Sequence, residues 1–244
     1  MLQRALDVVF PRRCAGCDEG GWPFCSRCVA RIVALSPPWC RRCGRPTERA
    51  VDRCPDCPPE CVTLARAPFL FAGPARAAVL KLKFSGWRTV ADALAAAMSE
   101  TSLPPVDVVT WVPLARRREA ERGYDQAHAL ARPVARRIGS PALPLLRRTR
   151  TTSPQAKRTA AERRAALEGA FRSTRDAPGR VLLVDDVLTT GATAAACADS
   201  LRRAGAREVV LLTATRAFSG SLPLRYARRG FPSGSVVARG DVLR

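Results

Sequence analysis

Nine of the ten cysteines lie within the first 61 residues, and eight of them form four CxxC pairs: Cys14/Cys17, Cys25/Cys28, Cys40/Cys43 and Cys54/Cys57. A CxxC turn lets two thiolates grip one ion, and zinc accepts four sulfurs in a tetrahedron with no redox change. These eight residues are therefore the candidate metal ligands for one or two structural zinc ions. Consecutive pairing, 14/17 with 25/28 and 40/43 with 54/57, is the simplest arrangement, and a crossed pairing satisfies the same count. Cys61 either replaces Cys57 or stands as a spare thiol. Disulfides and an iron-sulfur cluster are the competing readings, and disulfides need an oxidising compartment. The surrounding segment, residues 1–62, is rich in Pro and Arg and has no sustained helical or strand period. Such a segment folds only with staples. The doubled pairs make it a double zinc-ribbon module.

Beyond it the pattern changes. Thr63–Phe71 reads as a strand, Pro74 to about Phe84 as a helix, 88–99 as an alanine-rich helix and Val106–Val112 as a buried strand. A basic loop follows, then a helix over 123–138 in which Pro133 is expected to introduce a kink or shift the start. Residues 147–164 read as a long polar loop merging into a helix. Val181–Val184 is an apolar strand, 191–204 a helix closed by Gly205, and 207–215 another apolar strand. Alternation of strand and helix predicts an α/β fold with a mainly parallel sheet over 63–218. Residues 219–244 form a basic tail to which the sequence assigns no firm structure.

No apolar run approaches the roughly 18–20 residues that cross a bilayer. Asp7 and Pro11-Arg12-Arg13 also interrupt any secretory core near the N-terminus. A cytoplasmic location without membrane insertion is the expectation.

The sharpest motif runs from Val181 to Thr193: VLLV, then Asp185-Asp186, Val187-Leu188, and Thr189-Thr190-Gly191-Ala192-Thr193. Amides of a tight turn and of the first helical turn can surround a phosphate, and the helix dipole adds attraction. Carboxylates at the ligand edge of an open α/β sheet can accept hydrogen bonds from a sugar diol.

These residues resemble the signature of type I phosphoribosyltransferases, and the chain as a whole is similar to the ComF family, associated with DNA uptake in competent bacteria. The resemblance covers roughly residues 10–216. It rests on the paired cysteines, Leu80-Lys81-Leu82-Lys83-Phe84-Ser85-Gly86, and Val112-Pro113-Leu114 leading to Arg122-Gly123-Tyr124-Asp125-Gln126. The Thr152/Gln155 region, Ala170-Phe171 and the 181–193 turn complete it. It implies a type I phosphoribosyltransferase-like fold behind the zinc module. The implied ligand is 5-phosphoribosyl diphosphate with Mg²⁺. Asp185 and Asp186 would contact the ribose hydroxyls, as the catalytic pair. Thr189, Thr190, Gly191, Ala192 and Thr193 would hold the 5-phosphate, and Val112–Arg118, with Arg116 and Arg118, would approach the diphosphate. Residues 150–164 would be the loop that covers the ligand. The family pattern carries Asn where Asp125 stands.

A formal charge of +20 suggests an anionic partner. Lysine occurs only at 81, 83 and 157, so the excess is arginine, a bias that a GC-rich genome also produces. Arg12, Arg13, Arg41, Arg42 and Arg45 beside Trp22 and Trp39 offer charge and stacking surface for single-stranded DNA. Lys81 and Lys83 are either a solvated helix end or a phosphate-facing pair. His128 is expected to be packed or exposed rather than catalytic, and Cys197 to be a core thiol. Two functions compete: a phosphoribosyl-diphosphate-binding protein that handles single-stranded DNA beside competence-machinery proteins, or a metabolic phosphoribosyltransferase without a DNA role. The acceptor and the oligomeric state are not written in the sequence.

Overall fold

The computed structural model describes residues 13–149, 167, 169–218, 222, 223 and 226. In chain order the elements are α1 (Ser26–Arg31), β1 (Leu64–Arg66), β2 (Phe69–Leu70), α2 (Gly73–Phe84), α3 (Val90–Ser99) and β3 (Val108–Trp111). Then come α4 (Arg116–Arg122), α5 (Gln126–Ile138), β4 (Leu146–Arg148), β5 (Phe171–Ser173), β6 (Arg180–Leu188), α6 (Ala192–Arg203) and β7 (Glu208–Arg216).

Unbroken apolar runs, Val181–Val184 in β6 and Val209–Leu212 in β7, must be covered on both faces, and these two strands sit at the centre of a parallel sheet accordingly. The order is β1-β7-β6-β3, with β2 continuing beside β7. The β6/β7 register runs from Arg180↔Glu208 to Leu188↔Arg216. A separate antiparallel pair joins β4 to β5. The expected α/β class with a mainly parallel sheet and a cysteine-rich module before it is what the chain forms.

Alternation along β6 divides the core. Val181 and Leu183 face Cys197, Ala198 and Leu201 of α6, together with Phe171 and Leu145. Leu182 and Val184 face the other way, onto α2, α3 and α5 through Leu82, Leu94, Met98, Leu130 and Val134. The cysteine module divides likewise. Cys40, Cys43 and Cys54 join the α6 layer, while Ala15, Trp22 and Phe24 join the α2/α3/α5 layer.

Several local expectations change. Pro68 splits the strand expected over 63–71 into β1 and β2, and its carbonyl instead accepts from Leu35 N–H at 2.8 Å. The basic segment after β3 is a helix, α4, made of good helix formers and supported by an Arg117–Glu121 pair at 2.9 Å; Gly123 at φ 73 ends it. Pro133 lies inside α5 without ending it. β6 runs four residues past Val184, because pairing with β7 continues to Leu188, so Asp185 and Asp186 lie within the strand. Residues 147 and 148 belong to β4, whereas most of the expected covering loop, including Thr152 and Gln155, lies outside the described residues, as does most of the 219–244 tail. Tyr226 of that tail is buried, and its hydroxyl accepts from Ser36 N–H and donates to Ser36 C=O, each at 3.0 Å.

Candidate sugar-phosphate site and zinc centres

Neighbouring residues on a strand point to opposite faces, so Asp185 and Asp186 cannot share one. Asp185 follows Val181 and Leu183 onto the α6 side, where its charge acts on the Cys197 thiol. Asp186 follows Leu182 and Val184 onto the α2 side, where Lys83 Nζ stands 3.0 Å from its Oδ2. Only 5% of the Asp186 side chain is exposed, and Oδ2 accepts no directed hydrogen bond despite that ion pair. The backbone N–H of Asp186 donates to Asp185 Oδ1 at 2.8 Å, which ties the Asp185 carboxyl back onto the strand. Burial, then the neighbouring Asp186 charge, push the Asp185 carboxyl well above its ordinary value, against the pull of Lys83.

The turn follows directly. Thr189 and Thr193 are half-buried and Thr190 is exposed, while Gly191, at φ 76, caps α6. A β-carbon on Gly191 would lie 2.9 Å from Pro58 Cβ, so both the dihedral and the close approach demand glycine. Thr190 Oγ1 accepts from Ala192 N–H at 3.5 Å. The amides that open α6 have no intrahelical carbonyl to meet, the arrangement by which helix N-termini can receive an anion.

Helix α4 brings positive charge towards Asp186. Arg122 is half-buried: burial lowers the pKa of its guanidinium, and the charge of Asp186 opposes that. Arg122 donates to Gln126 Oε1 at 3.0 Å and covers the ring of exposed Phe84 at 4.8 Å. Arg118, on the same helix, acts by charge on both Arg122 and Arg148. Arg116 lies exposed at the start of α4. Asp125 caps α5: Oδ1 accepts from Ala127 and His128 N–H at 2.8 and 3.1 Å, and Oδ2 accepts from Leu114 N–H at 2.8 Å. This aspartate thus fastens the Val112–Leu114 segment to α5, a task its two oxygens perform without an amide. His128 stacks on Trp111 with centroids 4.3 Å apart, and Cys197 is fully buried.

The cysteines gather as two tetrads, Cys14/Cys17/Cys25/Cys28 and Cys40/Cys43/Cys54/Cys57, with all sulfurs of a tetrad within 4.8 Å of one another. Zinc–sulfur bonds of about 2.3 Å in a tetrahedron separate sulfurs by about 3.8 Å. The Cys17–Cys25, Cys40–Cys57 and Cys43–Cys54 separations of 3.7, 3.5 and 3.4 Å fit that ion. Consecutive pairing is therefore the arrangement adopted. Burial opposes ionisation of Cys14, but backbone N–H groups of Cys25 and Gly16 bring its thiol down to about 6. Cys61 joins neither tetrad; its sulfur meets Ala195 C=O at 3.6 Å, and burial pushes the thiol up to about 12.

A double zinc ribbon domain model matches residues 5–61. The chain is 34% identical over 209 residues to "DNA utilization protein YhgH" of Escherichia coli (strain K12), covering 78% of this chain and 88% of that protein. It is 29% identical over 209 residues to "Competence protein F" of Haemophilus influenzae, covering 80% and 90%. The chain belongs to the ComF family. Among solved structures, a Bacillus subtilis glutamine phosphoribosylpyrophosphate amidotransferase complexed with ADP and GMP overlaps 51% of this ComF chain and 26% of its own, at 25% identity and TM-score 0.37. An allosteric regulatory enzyme of purine biosynthesis overlaps 55% and 27%, at 23% identity and TM-score 0.40. The ComF chain thus spans about a quarter of either structure.

Four basic residues of this ComF chain take partners that only three dimensions reveal. Lys81 and Lys83 lie two apart on a helix, about 200° around it. Lys81 accordingly turns to Asp18 at 2.7 Å and to Cys14 C=O at 3.2 Å, whereas Lys83 turns to Asp186. Arg42 donates to the carbonyls of Pro59 and Val62 at 2.8 and 2.9 Å. Arg216, 3% exposed, donates to Cys43 C=O at 2.7 Å and reaches its sulfur at 3.5 Å, where it offsets the negative charge of a four-thiolate site. Among so many arginines no sequence signal distinguishes these two.

Proposed function

We propose that the chain binds 5-phosphoribosyl diphosphate at the Asp185–Thr193 segment and acts in the handling of single-stranded DNA. The single observation that carries this reading is Asp186: a carboxylate almost wholly buried, balanced by Lys83, with an oxygen that accepts no directed hydrogen bond. A carboxylate accepts several hydrogen bonds, so one paired with a single ammonium has room for a further donor, and a ribose hydroxyl is one.

In this reading a ribose sits at the edge of β6 that β3 leaves open beyond Val184, where its hydroxyls meet Asp186 from one face and Asp185 from the other, and the amides and hydroxyls of Thr189–Thr193 hold the 5-phosphate. Arg118, with Arg116 at the mouth, faces the diphosphate. Mg²⁺, when bound with the diphosphate, supplies charge neutralisation. If transfer occurs, a ribose centre with cationic character forms while the diphosphate leaves, and the acidic pair stabilises the first as the arginines stabilise the second. The names carried by the ComF relatives, DNA utilization and competence, support the DNA role, as do the exposed arginines of the zinc module. The boundaries near residues 62 and 218 are proposed with it, and so is a cytoplasmic location; no helix among the described residues is long and apolar enough to cross a membrane.

The second reading, a metabolic phosphoribosyltransferase, keeps the same pocket and drops the DNA. Equilibrium dialysis of labelled phosphoribosyl diphosphate with Mg²⁺ tests the pocket: ribose 5-phosphate and inorganic diphosphate should both compete. Failure of both to compete removes the proposed site. Diphosphate release driven by a free base, with no single-stranded DNA binding at low salt, selects the second reading.

A further inference from the structure

The four residues after Cys57 lie along the opening turns of α6. Pro58 is buried, and its Cβ would be 2.9 Å from a β-carbon on Gly191, the residue that turns the chain into the helix. One turn further on, Cys61 Sγ rests 3.6 Å from Ala195 C=O, with Asp199 beside it. The segment is not a free loop. Arg42, next to the ligand Cys43, clamps the carbonyls of Pro59 and Val62 at 2.8 and 2.9 Å. Cys57 fixes its start through the 3.5 Å approach to Cys40. The metal ligands, the Arg42 clamp and the proline that backs the turn thus form one continuous stretch of contacts. Among the described residues Cys14/Cys17/Cys25/Cys28 shows no equivalent: its loop packs on the α2/α3/α5 face and is tied through Lys81 to Cys14 C=O.

We propose that Pro58–Cys61, held by the Cys40/Cys43/Cys54/Cys57 zinc site, is a positioning element for the phosphate turn, so that metal at this site and sugar phosphate at the turn strengthen each other's binding. The inference rests on the proposed occupancy of that turn. Rigid backing holds the turn amides in their phosphate-binding geometry before ligand arrives. Coupling between two binding equilibria is reciprocal, so the effect must be readable from the metal side as well as from the ligand side.

The test uses the full chain loaded with zinc. Phosphoribosyl diphosphate binding with Mg²⁺ is measured first, and zinc release to a chromophoric chelator is then followed with and without that ligand. Ligand should slow release of one ion by about fivefold or more, within the usual range of coupling, and leave the other unchanged. In Cys14→Ser/Cys17→Ser, the single remaining ion should be the protected one. Pro58→Gly keeps every metal ligand; it should retain zinc, bind phosphoribosyl diphosphate about fivefold more weakly and lose the protection. Ligand binding without protection, equal protection of both ions, or wild-type affinity in Pro58→Gly overturns the coupling alone. No ligand binding by the wild type removes the pocket reading, and the coupling with it.

Discussion

Lys83 Nζ lies 3.0 Å from Asp186 Oδ2, joining the last turn of α2 to the central strand. Both groups are largely buried, so removing one leaves the other without its counter-charge in a poorly solvated place. Lys83→Ala should lower stability by about 3 kcal/mol at neutral pH, the lower end for such a pair, because Lys83 keeps some solvent. Urea unfolding measures this. A change below about 0.5 kcal/mol, as for an ordinary surface substitution, contradicts it.

Asp185 titrates above its ordinary value because burial and the Asp186 charge disfavour its ionised form. A folded-state value above the unfolded one gives stability that is complete below the unfolded value, about 3.9, and lost as pH rises through the folded one. Asp185→Asn keeps the oxygen that accepts from Asp186 N–H and removes the charge. The variant should therefore be more stable than wild type at pH 8, and its advantage should shrink towards pH 4. Thermal unfolding across that range checks it; lower stability of the variant at pH 8 runs against the prediction.

Arg216 touches Cys43 through both its carbonyl and its sulfur. Outer partners of metal ligands commonly control affinity by about 10–100-fold. Arg216→Met should loosen one of two zinc ions by that factor, read by chelator competition, and leave the other as in wild type. Equal loosening of both, or of neither, contradicts the assignment.

The zinc module separates its arginines by role. Arg41 is exposed and paired only at the surface with Asp52, whereas Arg42 is committed to the carbonyls of Pro59 and Val62. If single-stranded DNA lies on this module, Arg41→Ala should reduce the salt slope of binding by about one with zinc content unchanged. An unaltered slope in fluorescence anisotropy takes Arg41 out of the interface.

Much of this was legible in the residues because the signals are local. CxxC spacing marks the tetrads, and the apolar runs at Val181–Val184 and around Val209–Leu212 mark the buried strands. The turn was legible for the same reason: Thr189-Thr190-Gly191 is contiguous, and its glycine has one conformation to supply. What stayed hidden depends on long-range packing. β6 extends past Val184 because β7 pairs with it, and that pairing sends Asp185 and Asp186 to opposite faces. Arg42, Arg216 and Pro58 act on residues far away in sequence, and nothing beside them in the chain announces it. The helix at 116–122 escaped because its residues are all charged or alanine, so none is fully buried and no apolar stripe shows.

The central claim is a sugar-phosphate cradle at Asp185–Thr193, and calorimetric titration with 5-phosphoribosyl diphosphate and Mg²⁺ tests it most directly. Wild type should show saturable binding, and Asp185→Ala/Asp186→Ala, checked to retain its zinc and its fold, should bind at least about tenfold more weakly, a loss of about 1.4 kcal/mol. Equal affinity in the two proteins contradicts the account.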